Sequence, residues 1–444
     1  MIGKLFKKIK DRIQSNKKIS AFLKNVSVLV TGNIFTILIA VAINAVVVKF
    51  IGLEQFGYFT LIIAYVAVVD SVINFQSWQA LIKYGAQYGD NQEELRPLIK
   101  NAFIVDISTA FLGTVIAIAL AKPICGSWLG WSDDMVFLCR LYSITIFFHL
   151  EGMPTGYLRI IGKFKSFSIC AVAASLVKLI IVIIGFVLKT DARIVLLAYA
   201  IADILLYVLP FCVALYYLRK NNIRGWLFQK TREFKSFFTF SAYTSLSTTL
   251  DIPIKQFDVF IISKVLSVEA VAIQKIFNSL LSYFNKITTP ISQVLYPQVA
   301  QQVSEKKEKE AYRDVKKICG IIFLVGMAMA VVLSSTSFAW LKWLYNDETA
   351  VYWLVFAVDC FARVISMTFV PIHPFFIALG HVRKNIPIML VSNTVYFIAA
   401  LFLGKYLGLY GIAIAYLIQM AIVVVAKIVI INKQTESRFF GHSK

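Results

Sequence analysis

Residues 167–188 read FSICAVAASLVKLIIVIIGFVL, a polar break KTDAR fills 189–193, and 194–218 continue IVLLAYAIADILLYVLPFCVALYYL. Runs of this length match helices crossing a hydrocarbon core about 30 Å thick, which takes roughly 20 apolar residues. A membrane β-strand would instead alternate over about ten residues, and neither run alternates. The same unit recurs before this pair, at 25–48, 58–81, 98–121 and 135–158, and after it at 237–263, 271–297, 318–341, 350–376, 385–404 and 408–431. The reading is an all-α polytopic membrane protein with twelve spans.

Composition agrees. Of 444 residues, 59% are hydrophobic and only 16% charged, with a mean hydropathy of +0.74; soluble domains carry about 25% charged residues. A soluble enzyme, a disordered chain and a secreted disulfide scaffold are excluded. Net charge is +21, but no basic domain exists to hold nucleic acid, because the excess sits between the apolar runs. The six cysteines lie singly and form no C-x-x-C pair, and four scattered histidines give no zinc spacing. Neither metal nor cofactor is expected.

Basic residues fix an orientation. Of the 45, 32 fall at one alternating set of segment ends, including both chain ends, and seven at the other: Lys49, Lys122, Lys189, Arg193, Lys264, Lys342 and Lys405. Both termini are expected in the cytoplasm, in a cytoplasmic (inner) membrane. Residues 1–24 carry Ile2, Leu5, Phe6, Ile9 and Ile13 at helical spacing among lysines, the pattern of a helix lying on an anionic leaflet.

The chain repeats itself. Lys49 to Gly57, leaving segment one, resembles Lys264 to Ala272, leaving segment seven, at an offset of 215. Tyr157 to Lys165 resembles Phe375 to Arg383 at an offset of 218. Two matches at nearly one offset indicate a six-plus-six duplication, giving two pseudo-symmetric six-helix lobes around a central cavity. The expected divisions are the basic segment 1–24, an N-lobe 25–218, a cytoplasmic linker 219–236, a C-lobe 237–431 and a tail 432–444. Even-numbered halves run parallel, the arrangement of transporters that rock two halves about a shared site.

Six cations fall inside the spans: Arg140, Lys178, Lys255, Lys275, Lys286 and Arg363. At mid-bilayer each costs about 2.5–3.5 kcal/mol on the lenient insertion scale, so each must face a partner or water. In segment eight Lys275, Asn278, Ser279, Ser282, Asn285, Lys286, Thr289 and Gln293 step by three or four along one face. Segment seven repeats the stripe through Asp251, Lys255 and Asp258, and segments one and two offer Asn33, Asn44, Asp70 and Asn74. The first two helices of each half are expected to line one aqueous path. Asp251–Lys255 and Asp359–Arg363 have the i, i+4 spacing of mutually neutralising pairs, whereas Lys275 and Lys286 have no acid at that spacing. Pro253, Pro290, Pro297, Pro371 and Pro374 are expected to interrupt segments seven, eight and ten.

Several short motifs carry a family resemblance: Asn33, Ile51 to Phe59, Lys83-Tyr84-Gly85, Arg159 to Gly162, and Pro290 through Pro297. With the layout, they make the chain similar to the Wzx-type flippases of the multidrug/oligosaccharidyl-lipid/polysaccharide exporter superfamily. The resemblance implies alternating-access transfer of an undecaprenyl-pyrophosphate-linked oligosaccharide between leaflets, for O-antigen, capsule or exopolysaccharide. It implies no catalysis, and makes a polysaccharide polymerase and a chain-length regulator candidate partners. Cavity cations equivalent by placement are Lys255, Lys275, Lys286 and Arg363; Asp70, Asp258 and Asp359 are candidates to carry a coupling ion. The chain lacks the arginine cluster in segments one and two and the extra spans of the peptidoglycan-precursor flippases, which argues against that substrate. An ion-coupled multidrug exporter of the same fold would be expected to have an acid-rich lumen. A membrane glycosyltransferase or polymerase would need a catalytic loop that the short outer connections do not supply.

The charge asymmetry predicts that cysteines placed at Asn221 and Ser304 resist membrane-impermeant thiol reagents in intact cells while one at Asp347 labels. Labelling at Asn221 would reverse the orientation.

Overall fold

In lipid a spanning backbone must bond to itself, which leaves helices or closed barrels. The computed structural model describes the backbone over 17–75, 77–85, 92–249 and 258–440. Within these ranges it describes all side chains except those of 17–33, 92–93, 164, 246–249, 283, 285–294, 297–298, 300, 382 and 434–440. All regular structure among the described residues is helical. Among the described residues nine stretches are long and apolar enough to cross a membrane. The first, Ile34–Gly85, holds two expected segments, and the polar-striped segments seven and eight are not among the nine.

The helices are α1 (Lys17–Ile73), α2 (Ser77–Gly85), α3 (Arg96–Leu120, extended by a wide turn to Trp128), α4 (Asp133–Ser143), α5 (Gly152–Ile160), α6 (Phe164–Val187) and α7 (Arg193–Lys220). The second half has α8 (Phe234–Thr249), α9 (Asp258–Val265), α10 (Val268–Ser304), α11 (Glu308–Ser335) and α12 (Ser337–Leu344). It ends with α13 (Trp353–Thr368), α14 (Ile372–Ala378), α15 (Val382–Leu407) and α16 (Leu409–Phe440).

Several expected boundaries shift. The turn between segments one and two shrinks to one residue, Gly52 (φ 78°, ψ 172°), dividing α1 into arms over 17–51 and 53–73. Segment four is broken between α4 and α5, where His149, Leu150 and Glu151 are unwound, and segment ten between α13 and α14 at 369–371. The second break holds Pro371, as expected, but α10 runs as one helix past Pro290 and Pro297. At 1.5 Å per residue its 37 residues reach about 55 Å, well beyond the hydrocarbon core. Lys427, counted above among loop cations, is buried in α16 with Nζ 3.1 Å from His373 Nδ1. Residues 1–16, which carry most of the basic amphipathic segment, and Pro253 lie outside the described residues.

The internal repeat is visible in the backbone. Helix α5 closes with Lys163 N–H bonding the Leu158 carbonyl at 2.8 Å, and α14 closes with His381 N–H bonding the Phe376 carbonyl at 3.3 Å. Both closures turn on a left-handed glycine, Gly162 (φ 70°) and Gly380 (φ 88°). A Cβ at either would meet nothing within 4 Å, so conformational freedom, not space, selects glycine there.

The largest core joins the halves. Helix α10 packs along α1, burying Phe56 and Tyr65 with Phe277 and Phe284. At Gly57 the helices are so close that a Cβ would strike the Val268 carbonyl. Asn44 Nδ2 donates to Ser279 Oγ at 3.0 Å, and Lys49 Nζ to the Trp343 carbonyl at 3.1 Å. Towards the other face α8 lies on α2: Tyr84 hydroxyl donates to the Ser236 carbonyl at 3.3 Å, and Lys83 Nζ sits 3.9 Å over Phe240. Phe237 thereby joins the first half's second core, with Leu98, Tyr157 and Leu218. A third core, around Val299, Val315 and Phe376, belongs to the second half.

With the six native cysteines replaced by serine, Asn44→Cys with Ser279→Cys is expected to form an oxidative cross-link. Adding Gly57→Leu should cut its yield severalfold, since overpacking costs about 1–3 kcal/mol and falls only on this closed approach; an unchanged yield would contradict the contact.

Candidate functional site

The stripe of α10 faces a cavity of about 500 Å³, within the range usual for ligand sites. Lys275, Asn278 and Ser282 reach it from α10, Asp258 from α9, Asp359 and Arg363 from α13, and Tyr416 from α16. The first half contributes Thr60, Ile63 and Ala64 from the second arm of α1. The space is therefore built mainly by the second half.

Arg363 is held on three sides. Its Nη2 donates to Asn278 Oδ1 at 2.6 Å, its Nε lies 3.6 Å from Asp359 Oδ1, and its guanidinium sits 4.6 Å over the Tyr416 ring. Tyr416 in turn donates to Ser366 Oγ at 2.9 Å. Asp359 is 3% exposed, so this is the i, i+4 pair read from the sequence, closed over by its neighbours. Lys275 differs: no described residue gives it an ion pair within 4 Å or a hydrogen bond, and the carboxylates whose field it feels are Asp203 and Asp258. Asp258 Oδ1 accepts the Val259 N–H at 2.8 Å and starts α9. The described lining thus balances two cations with two acids, bringing Asp258 and Asp359 to the same cavity as Lys275 and Arg363. Lys255, and the side chains of Asn33 and Lys286, lie outside the described residues.

The first-half candidates sit elsewhere. Asn44 is 3% exposed; besides donating to Ser279 it accepts from the Tyr199 hydroxyl at 3.5 Å, and Lys178 Nζ lies 3.9 Å over the Tyr199 ring. Asp203 completes this patch by accepting from the Tyr142 hydroxyl. Asp70 and Asn74 belong to a separate centre around the unwound turn of segment four. His149 Nδ1 is 3.1 Å from Asp70 Oδ2, and Asn74 Nδ2 donates to the His149 carbonyl at 3.3 Å. The His149 ring lies 4.1 Å from Tyr207, while Glu151 shares the same turn and feels the charge of Asp70. Asp106 anchors the turn from behind, accepting from Ser77 Oγ at 2.6 Å and the Met153 N–H at 2.7 Å.

So the structure gathers Lys275, Arg363, Asp258 and Asp359, gathers Asp70 and Asn74 separately, and uses Asn44 as a tether between halves. Sequence reasoning missed His149. The available signal was an ionisable residue inside the apolar run Ile144 to Leu150, a placement that points to function by default in membranes. Among the described residues no three His, Cys, Asp or Glu side chains are grouped to hold a metal ion.

Comparison with known proteins gives three kinds of likeness. The family profile described as "Polysaccharide biosynthesis protein" matches residues 22–303. The inner membrane protein YghQ of Escherichia coli (strain K12) is 30% identical over 112 residues, 25% of this chain and 31% of that one; the likeness spans about a third of the relative. Among solved structures, an inward-facing multidrug resistance MATE family transporter of the MOP superfamily superposes with a TM-score of 0.70 at 14% identity, covering 90% of this chain and 96% of that chain. The lipid II flippase MurJ, in an inward closed conformation, gives 0.70 at 13% identity, covering 91% and 87%. At such identities these two show a shared fold.

Removing Arg363 strands a buried carboxylate, which typically costs about 3–5 kcal/mol, whereas replacing both partners is far milder. Arg363→Gln should therefore lower the melting temperature of the purified protein, and Asp359→Asn added to it should restore most of the loss. Equal losses in the single and double variants would refute the pairing.

Proposed function

The chain belongs to the polysaccharide biosynthesis protein family, and from that premise we propose that it is a flippase for an undecaprenyl-pyrophosphate-linked oligosaccharide. In this reading the repeat unit, destined for O-antigen, capsule or exopolysaccharide, passes from the cytoplasmic to the outer leaflet of the inner membrane. Both termini are cytoplasmic, and 25–218 rocks against 237–431. The observation that carries the reading is Lys275, a cation in the central cavity without a partner among the described side chains. A hydrated anionic head group needs a wet route with fixed positive charge. Arg363 supplies donors from a fixed position, Lys275 is free to bind, and Lys255 and Lys286 extend the same role along the stripes. The lipid tail stays in the bilayer.

The Asp70–His149 pair supports a division of labour. It lies apart from the central cavity, beside the unwound turn of segment four, and Asn74 links it to the second half because its carbonyl accepts from Ser245 Oγ at 3.3 Å. An ion taken up there acts on the contact between halves without meeting the sugar. We assign it the coupling role and Asp258 a supporting one.

In cells lacking the native gene, Lys275→Arg should retain most repeat-unit export, whereas Lys275→Ala should reduce it tenfold or more at normal membrane abundance. Asp70→Asn and His149→Gln should instead leave binding of the lipid-linked precursor intact and abolish the response of transport to an ion gradient. Normal export by Lys275→Ala would remove the binding assignment; an unchanged gradient response in both other variants would remove the coupling assignment.

A further inference from the structure

A second cavity, of about 830 Å³, opens on the face formed by the turns that follow the first arm of α1, α3, α6 and α9. That face is the outer one in the proposed orientation. The cavity is larger than the central one and only a helix away from it. Along the second arm of α1, Tyr58, Phe59 and Ile62 face the outer cavity, and Thr60, Ile63 and Ala64 face the central one. Helix α9 divides likewise, sending Phe260 and Ser263 outward, Asp258 and Val259 inward.

The lining alternates aromatic faces with hydrogen-bonding groups. Tyr58 and Trp131 are half-buried in it, and Gln55, Asp134 and Arg193 stand at its edge. Tryptophans that merely ride at the membrane interface look different here: Trp128 is 70% exposed and Trp343 78%. Trp131 is instead set into the concavity, its backbone N–H bonded to the Cys125 carbonyl at 2.9 Å and its ring packed on the main core. At the rim Arg193 Nη2 lies 3.1 Å and 3.3 Å from the two oxygens of Asp134. Both side chains are 61% exposed, and such a surface pair contributes little to stability. Its donors and acceptors can be exchanged for those of a ligand at small cost.

This is the chemistry that recognises a sugar. A pyranose ring offers an apolar C–H face to an aromatic ring and a belt of hydroxyls that both donate and accept, which a guanidinium, a carboxylate and an amide answer together. We propose that the outer cavity is a carbohydrate subsite. Sugars of the repeat unit stack on Trp131 and Tyr58 there, and Arg193, Asp134 and Gln55 hydrogen-bond their hydroxyls. The subsite rests on the flippase reading and adds to it a resting place for the oligosaccharide beyond the wall of the central cavity. Because α9 and the start of α10 come from the second half and the other elements from the first, movement of one half against the other reshapes the subsite and lets the sugar go.

The test uses the full chain in lipid nanodiscs and two probes: the lipid-linked precursor, and the oligosaccharide freed from it by mild acid cleavage of the pyrophosphate. Saturation-transfer NMR and calorimetry should show both binding to the unmodified protein. Trp131→Ala and Tyr58→Ala should each weaken the freed oligosaccharide tenfold or more, and Trp131→Phe, which keeps a stacking face, should retain most of the affinity. Arg193→Ala, on an exposed rim side chain, should weaken it severalfold without moving the melting temperature, and Trp128→Phe should leave it unchanged. If the precursor binds but the freed oligosaccharide does not, or if it binds Trp131→Ala and Arg193→Ala as well as the unmodified protein, the subsite is wrong and the flippase reading stands. If neither probe binds the unmodified protein, both fall.

Discussion

A charge surrounded by lipid has nothing to bind, and this constraint organises the interior of the molecule. Several described ionisable groups inside the bundle are answered by a polar neighbour: Asp359 by Arg363 one turn along its own helix, and, from other elements, Asp70 by His149, Asp203 by Tyr142 and Lys427 by His373. The last three partnerships cross between elements and fix which faces meet, because moving one of them would leave a neighbour's polar group stranded. Apolar packing fills the space that remains. It does not by itself choose a register, since a leucine face is as content against lipid as against another leucine.

Within that scheme Lys275 stands out by lacking a close described partner while sharing a cavity with groups that have theirs. Arg363 shows the contrast, a cation engaged on three sides that braces α13 against α10 and α16. Lys275 and Arg363, 88 positions apart, look equivalent to a charge count. Their surroundings separate a brace from a group free to take up an anion.

Much of the fold was legible because it follows from one-dimensional rules. Apolar length reports spans, and the glycines at 162 and 380 mark equivalent helix ends in the two halves. The stripe on α10 was legible for the same reason, since a helix carries its period in the sequence. What escaped depends on tertiary pairing. Asn44 reads as a cavity residue but bonds Ser279 across the seam; Lys427 reads as a loop cation but lies buried against His373. His149 was invisible as a partner of Asp70 because 79 positions separate them in the chain and only the unwinding of segment four brings the ring round.

The seam between the halves is closed in good part by single polar contacts: Asn44 to Ser279, Lys49 to the Trp343 carbonyl, Ser245 to the Asn74 carbonyl, Tyr84 to the Ser236 carbonyl. Each such bond has a net worth of only about 0.5–1.5 kcal/mol, because water replaces whatever is lost. Breaking these bonds therefore costs little, whereas the apolar contacts of the same seam, Phe56 and Tyr65 with Phe277 and Phe284, hold the halves together. A difference of about 1.4 kcal/mol is a tenfold change in population, and a ligand shifts such an equilibrium by its difference in affinity for the two arrangements. Where single polar bonds close a seam, a few contacts to a passing solute carry comparable weight in deciding whether those bonds stay made.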